Sequence, residues 1–193
     1  MTDLFTLPQP ESFGRTASGT AWSRYGAGDP IVLIHGVGMC QEYWAPQVNE
    51  LMAEFEVITY DMWGHGRSAV AETATSLTDF SHQLDDLLTA LNLPTVHIVG
   101  HSLGALVSLQ FAVEHPLRVR SLTVLNAVFQ RTDEQRAPVL RRAHALAQSG
   151  IMEIDKTLLR WFGEPGSHPH GQAEALCRRL LESVDARGYA NAY

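Results

Sequence analysis

Lysine is almost absent from this sequence: Lys156 is the single one among 193 residues, so positive charge rests on arginine. Acidic residues (21) outnumber basic ones (14), the formal charge is −7, and no Lys/Arg cluster forms. A nucleic-acid surface is excluded on that ground, because phosphate binding needs a basic face. There are two cysteines, Cys40 and Cys177, and they form no metal-ligand spacing. No metal and no cofactor is implied, and a reduced, cytoplasmic compartment is expected. No apolar stretch approaches membrane-spanning length, so no membrane partner is expected. The opening MTDLFTLPQPES has no basic n-region and no long apolar run, and no secretory signal is read there. Internal repeats and low-complexity linkers are also missing. What is present, 45% hydrophobic and 18% charged residues, suits one core-bearing globular domain.

The stretch Val96 to Pro116, VHIVGHSLGALVSLQFAVEHP, organises the rest. Val96-His97-Ile98-Val99 reads as a short buried strand, rich in β-branched residues. Leu106, Leu109, Gln110 and Val113 recur at helical spacing, and Pro116 stops the helix. Between them Ser102 sits inside Gly100-His101-Ser102-Leu103-Gly104. A strand passing directly into a helix turns sharply, and the residue at the turn is forced into strained backbone angles. Gly100 and Gly104 carry no β-carbon, so the two arms can pass closely. Ser102 then projects its hydroxyl above the carboxyl end of the sheet, at a helix N-terminus that favours negative charge. The Leu103 N–H is placed to donate to an oxyanion. The alternative is a small-residue turn that merely packs tightly. His101 diverges from its neighbour at such a turn and reads as a packed residue, not as a base.

Upstream, residues 12–26 read as two short strands, and Ile31 to His35 as a central parallel strand covered on both faces. It opens into Gly36-Val37-Gly38-Met39. A helix from about Glu42 to Ala53, a strand from Phe55 to Tyr60, and the loop DMWGHGRSAVAETATS follow. Thr78 is read as the cap of a helix carrying Phe80, Leu84, Leu87, Leu88 and Leu91. Val119–Leu125 is a further strand. This cadence means βαβ units and a parallel sheet. Ligands of such sheets bind beyond the carboxyl ends of the strands, where Gly36-Val37-Gly38, Asp61-Met62-Trp63 and Ser102 would converge. From Gln130 onward no good strand is found. Helices are expected over Ala137–Gln148, Ile151–Phe162 and Gly171–Glu182, with their arginines on solvated faces. The division is a core over 1–129 and a helical cap over 130–193.

Three blocks in this order resemble the α/β-hydrolase superfamily, in its esterase and enol-lactonase branch: His35-Gly36-Val37-Gly38, Asp61-Met62-Trp63-Gly64-His65-Gly66-Arg67-Ser68, and Gly100-His101-Ser102-Leu103-Gly104. The resemblance covers residues 12–126 well and the later helices loosely, as a lid. It implies an α/β fold, with a mainly parallel, doubly wound sheet and a helical lid; the last strands of the family's fold have no counterpart in the sequence. It implies Ser102 as nucleophile and the Val37 and Leu103 N–H groups as the oxyanion hole. Gly36, Gly38, Met39 and Trp63 are expected beside the substrate. Trp63 stands where an arginine is common, so it either walls the pocket or only packs; Met39 and Trp44 carry the same pair of readings. The Asp61 block is mostly structural in the family.

The resemblance also implies a carboxylate and then a histidine after the serine. A serine at its ordinary pKa is a poor nucleophile without a positioned base. No strand followed by a histidine loop is found after Leu125. His35 and His65 belong to motif loops, and His82, His97, His115 and His144 lie away from the edge. His168 and His170 sit in a lid-like loop that holds geometry poorly. Asn126 occupies a position where some relatives place the acid, but an amide cannot carry that charge. The acid and base are expected beyond residue 193. The function expected is cleavage of small carboxylic esters or lactones through an acyl-enzyme on Ser102. The alternatives are a carbon–carbon bond hydrolase acting on diketones, a ligand-binding protein on the same scaffold, and an inactive fragment.

Overall fold

The computed structural model describes residues 3–71, 75–128, 130–150, 152–164 and 169–192. Six strands form one sheet: β1 (Ser12–Arg15), β2 (Ala21–Tyr25), β3 (Asp29–Ile34), β4 (Phe55–Tyr60), β5 (Val96–His101) and β6 (Val119–Leu125). Their order is β1-β2-β4-β3-β5-β6, with β1 and β2 antiparallel to their neighbours and the other pairings parallel. Register aligns Leu33 with Thr59, Ile34 with Gly100, and Gly100 with Val124. The loops after β3, β4, β5 and β6 therefore leave from one edge, where a doubly wound sheet binds its ligands.

Successive side chains of a strand point to opposite faces, and here each face has its own core. Val32, Ile34, Ile58, Tyr60, Val96 and Ile98 pack under helices α2 (Leu77–Ala90) and α3 (Leu103–Glu114). Ile31, Leu33 and Val57 face the other way, with Trp44 and with Val48 of α1 (Ala45–Leu51). The continuous apolar run of β3 is thus buried on both sides, as expected of a central parallel strand.

Four helices follow β6: α4 (Asp133–Ser149), α5 (Ile154–Phe162), α6 (Gly171–Ser183) and α7 (Ala186–Asn191). Leu146, Leu158, Leu176, Leu180, Leu181 and Tyr189 pack around Met39, with Val37, Cys40 and Tyr43 against them. The cap thus shares its hydrophobic cluster with the loop after β3. Burial holds the Cys40 thiol up at about 12 and the Cys177 thiol up at about 11, so both stay protonated and packed.

The structure departs from the local sequence expectations at three places, and it adds the buried face of α3. The segment after Cys40 is a short 3-10 turn, Gln41–Trp44, before α1, because Pro46 lacks the N–H that an uninterrupted helix would use. Ser76, not Thr78, caps α2: its hydroxyl accepts from Asp79 N–H while the Asp79 carboxylate accepts from Ser76 N–H. Helix α3 buries Ala105, Val107, Ser108 and Phe111, whereas Leu109 and Val113 are exposed. It is apolar nearly all round, so periodicity could not select its buried face. Helix α7 was not anticipated; Asp185 caps it by accepting from Gly188 N–H.

Candidate active site

Ser102 follows the last residue of β5 and precedes the first of α3, with φ 55° and ψ −112°. A non-glycine residue at that φ is uncommon and strained. Its surroundings over-determine the bend. Ser102 N–H donates to the Leu125 carbonyl at 2.9 Å, while its own carbonyl accepts from Ala105 and Leu106 N–H. A β-carbon on Gly100 would lie 2.1 Å from Ser108 Oγ, and one on Gly104 would lie 2.3 Å from the Ile34 carbonyl oxygen. The two arms cross closely enough to require glycine at both positions.

A cavity of about 320 Å³ opens at this bend. Val37, Ser102, Leu103, Leu106, Asn126 and Tyr189 line it, with further residues from the cap. The N–H groups of Val37 and Leu103 donate to no acceptor among the described residues. Two free amides and the first turn of a 12-residue helix beside one hydroxyl suit a developing oxyanion.

The loop carrying Val37 is held by a buried polar network. His35 Nδ1 lies 2.8 Å from the Gly36 carbonyl, and His65 Nδ1 lies 3.1 Å from the Trp63 carbonyl. A carbonyl only accepts, so both rings carry their proton on Nδ1. Each Nε2 then accepts a backbone N–H: His35 from Met62 at 3.0 Å, His65 from Gly38 at 3.0 Å. The loops after β3 and β4 are thereby clasped together. Burial pushes His35 down to about 4 and His65 down to about 3, so both are neutral acceptors near neutral pH. Asp61 accepts from Gln41 N–H and side-chain amide and from Arg67 N–H, so its carboxylate is spent on loop structure.

The structure brings Val37, Ser102 and Leu103 together around one cavity and places the other expected residues outside its lining. Gly36 sits behind Ser102; a β-carbon there would lie 3.2 Å from Ser102 Cβ. Gly38, at φ +80°, lies against the Tyr189 ring. Met39 is buried in the cap cluster, and Trp44 is buried against α1. Trp63 packs on the core under α2 and α3, and its backbone N–H donates to Gln83 Oε1.

No histidine, aspartate or glutamate is among the described residues lining the cavity, and the Ser102 hydroxyl has no hydrogen-bond partner among them. His101 stacks on Tyr43 at 5.2 Å, with its Nε2 3.4 Å from Asn126 Nδ2. His97 Nδ1 is 2.8 Å from Ser121 Oγ on the neighbouring strand, and His115 stacks on Phe111. His170 is exposed beside α6, and His168 lies outside the described residues.

The lining also holds residues that the sequence did not mark as site residues, among them Tyr189 on α7 and Arg131, Arg142 and Arg160 from the cap. The sequence places all three arginines on solvated faces; Arg142 and Arg160 are indeed exposed, and Arg131 is half-buried. Arg178 and Arg179 do pair at the surface, with Asp155 and Glu42. Nothing in the spacing separates the two sets; only the fold of the cap over the sheet edge does.

Residues 29–143 match the family model of the alpha/beta hydrolase fold. The chain belongs to the α/β-hydrolase family. Among curated relatives it is 40% identical to an (E)-2-((N-methylformamido)methylene)succinate hydrolase of Acinetobacter baylyi, over 87% of this chain and 63% of that protein. It is 32% identical to 3-oxoadipate enol-lactonase 1 of the same species, over 84% of this chain and 60% of that one. The chain thus spans under two thirds of the length of these relatives. The enol-lactonase of Burkholderia xenovorans superposes with a TM-score of 0.82 at 24% identity, covering 93% of this chain and 71% of that one. That likeness shows the shared fold.

Proposed function

We propose that this chain is the nucleophile-bearing part of a serine hydrolase for small esters or lactones. Ser102 attacks the carbonyl carbon, the Val37 and Leu103 N–H groups stabilise the resulting oxyanion, and water releases the acyl group from Ser102 Oγ. The observation that carries the reading is Ser102 itself, held at a positive φ on a helix N-terminus, in a cavity shared with two unpaired amides. The relatives' names support a small organic substrate, since they specify an enol-lactone and a substituted succinate. Gly36 and Gly38 shape the oxyanion loop, while Met39 and Trp63 support it from the cores on either side. The proton acceptor for Ser102 and its orienting carboxylate are supplied by residues beyond 193.

The test is covalent labelling by a fluorophosphonate in the protein extended by the coding sequence downstream of Tyr193. Label on Ser102, and none on the Ser102→Ala variant, is the expected result. Silence of Ser102 with a ligand still bound in the cavity would favour a binding protein. Turnover of a p-nitrophenyl ester series against a vinylogous diketone separates ester from carbon–carbon cleavage.

A further inference from the structure

The charged side chains lining the Ser102 cavity are all of one sign. Arg131, Arg142 and Arg160 line it, with no acidic residue among its described lining. Arg142 and Arg160 also line a second cavity of about 470 Å³ under the cap, together with Arg141 and Lys156. The one acidic residue lining that cavity, Glu153, pairs with Lys156. In a chain of formal charge −7 this concentrates much of the scarce positive charge at one place.

Pairing elsewhere makes the contrast sharper. Arg24, Arg118, Arg120, Arg178 and Arg179 each hold a carboxylate. Arg131 and Arg160 form no hydrogen bond or ion pair with any described residue; Arg160 is exposed, whereas Arg131 is half-buried. A partly desolvated guanidinium without a counter-charge is unfavourable, and an arriving anion reverses that. The remaining walls are largely apolar, including Leu103, Leu106, Val128, Val139 and Trp161. Apolar walls with a cationic roof suit a small organic acid better than a bare inorganic anion.

We infer that Arg131 and Arg160 form a carboxylate-binding subsite above Ser102, so that the substrate is an ester or lactone carrying a free carboxylate. This rests on the hydrolase reading of Ser102 for the word substrate. The subsite itself is independent of the nucleophile.

Calorimetric titration of the protein with succinate tests it, with the neutral succinamide and inorganic phosphate as comparison probes. Succinate should bind, weaken as salt rises, and lose about tenfold or more in affinity in each of Arg131→Gln and Arg160→Gln. Arg120→Gln, whose side chain pairs with Asp29 at the far edge of the sheet, should leave it unchanged. Circular dichroism of each variant confirms an unchanged fold. No succinate binding, equal binding of succinamide or phosphate, or losses under about threefold in both variants would overturn the subsite. Succinate binding should persist in Ser102→Ala. Fluorophosphonate silence with succinate binding intact would remove the hydrolase reading and leave the subsite standing.

Discussion

Acidification tests the buried histidine clasp that fixes the Val37 loop. Both rings are almost inaccessible, and each accepts a backbone N–H through Nε2. Burial lowers His35 to about 4; burial, and then the neighbouring His35, lower His65 to about 3. In the unfolded chain both titrate near about 6.5. The folded values lie below the unfolded one, so the unfolded chain takes up the protons first. Stability is therefore intact above about pH 6.5 and falls as pH drops toward the folded values. From about pH 8 to about pH 5 each ring removes about 2 kcal/mol, and the pair about 4. Carboxylates titrate lower and add little in that window, while His101, also lowered by burial, acts in the same direction. Such a loss is a large share of the roughly 5–15 kcal/mol that holds an ordinary domain together. Urea midpoints followed by tryptophan fluorescence across this pH range measure it. His65→Gln keeps an acceptor for Gly38 N–H but cannot titrate. It should lose about 1 kcal/mol near neutral pH and roughly halve the pH dependence. A midpoint constant between the two ends, or an unaltered slope in His65→Gln, would refute the clasp.

Three further outcomes follow from the packing. Gly104→Ala should lower stability by about 3 kcal/mol, read as a reduced melting temperature, because its β-carbon would meet the Ile34 carbonyl oxygen at 2.3 Å; a melt within a degree or so of the parent's would count against the close crossing. Ser76→Ala should cost about 1 kcal/mol by removing the α2 capping box, and an unchanged denaturation midpoint would show the cap to be idle. The 193-residue chain should associate through its β6 edge, where Val124 is 37% and Leu125 41% exposed. Leu125→Lys should reduce that association in light scattering, and equal scattering by both proteins would argue against the edge.

Much of the fold was legible because its signals are local. The run Ile31–Ile34 announced a strand buried on two faces, and it is one. Gly100 and Gly104 announced a bend too tight for β-carbons, and the distances around both agree. The cap of α2 was misplaced by two residues because Ser76 and Thr78 both suit such a position; the reciprocal bond to Asp79 decides between them. The buried face of α3 was not legible, because an almost uniformly apolar helix carries no directional signal. Helix α7, six residues long, was too short to show a period.

The candidate site divides in the same way. Glycine spacing and turn chemistry act between near neighbours, so the sequence by itself determined that Ser102 would stand at a strained bend, with loops from β3 and β4 at the same sheet edge. Which face of the cap looks down on that bend was decided only when α4, α5, α6 and α7 packed around Met39 and the loop after β3. That packing set the half-buried Arg131 and the exposed Arg142 and Arg160 along the Ser102 cavity, while Arg178 and Arg179 pair with Asp155 and Glu42 outside its lining. Charge alone does not say where a side chain will point. The apolar contacts that orient each helix do, and they join residues more than a hundred positions apart, such as Met39 and Leu181.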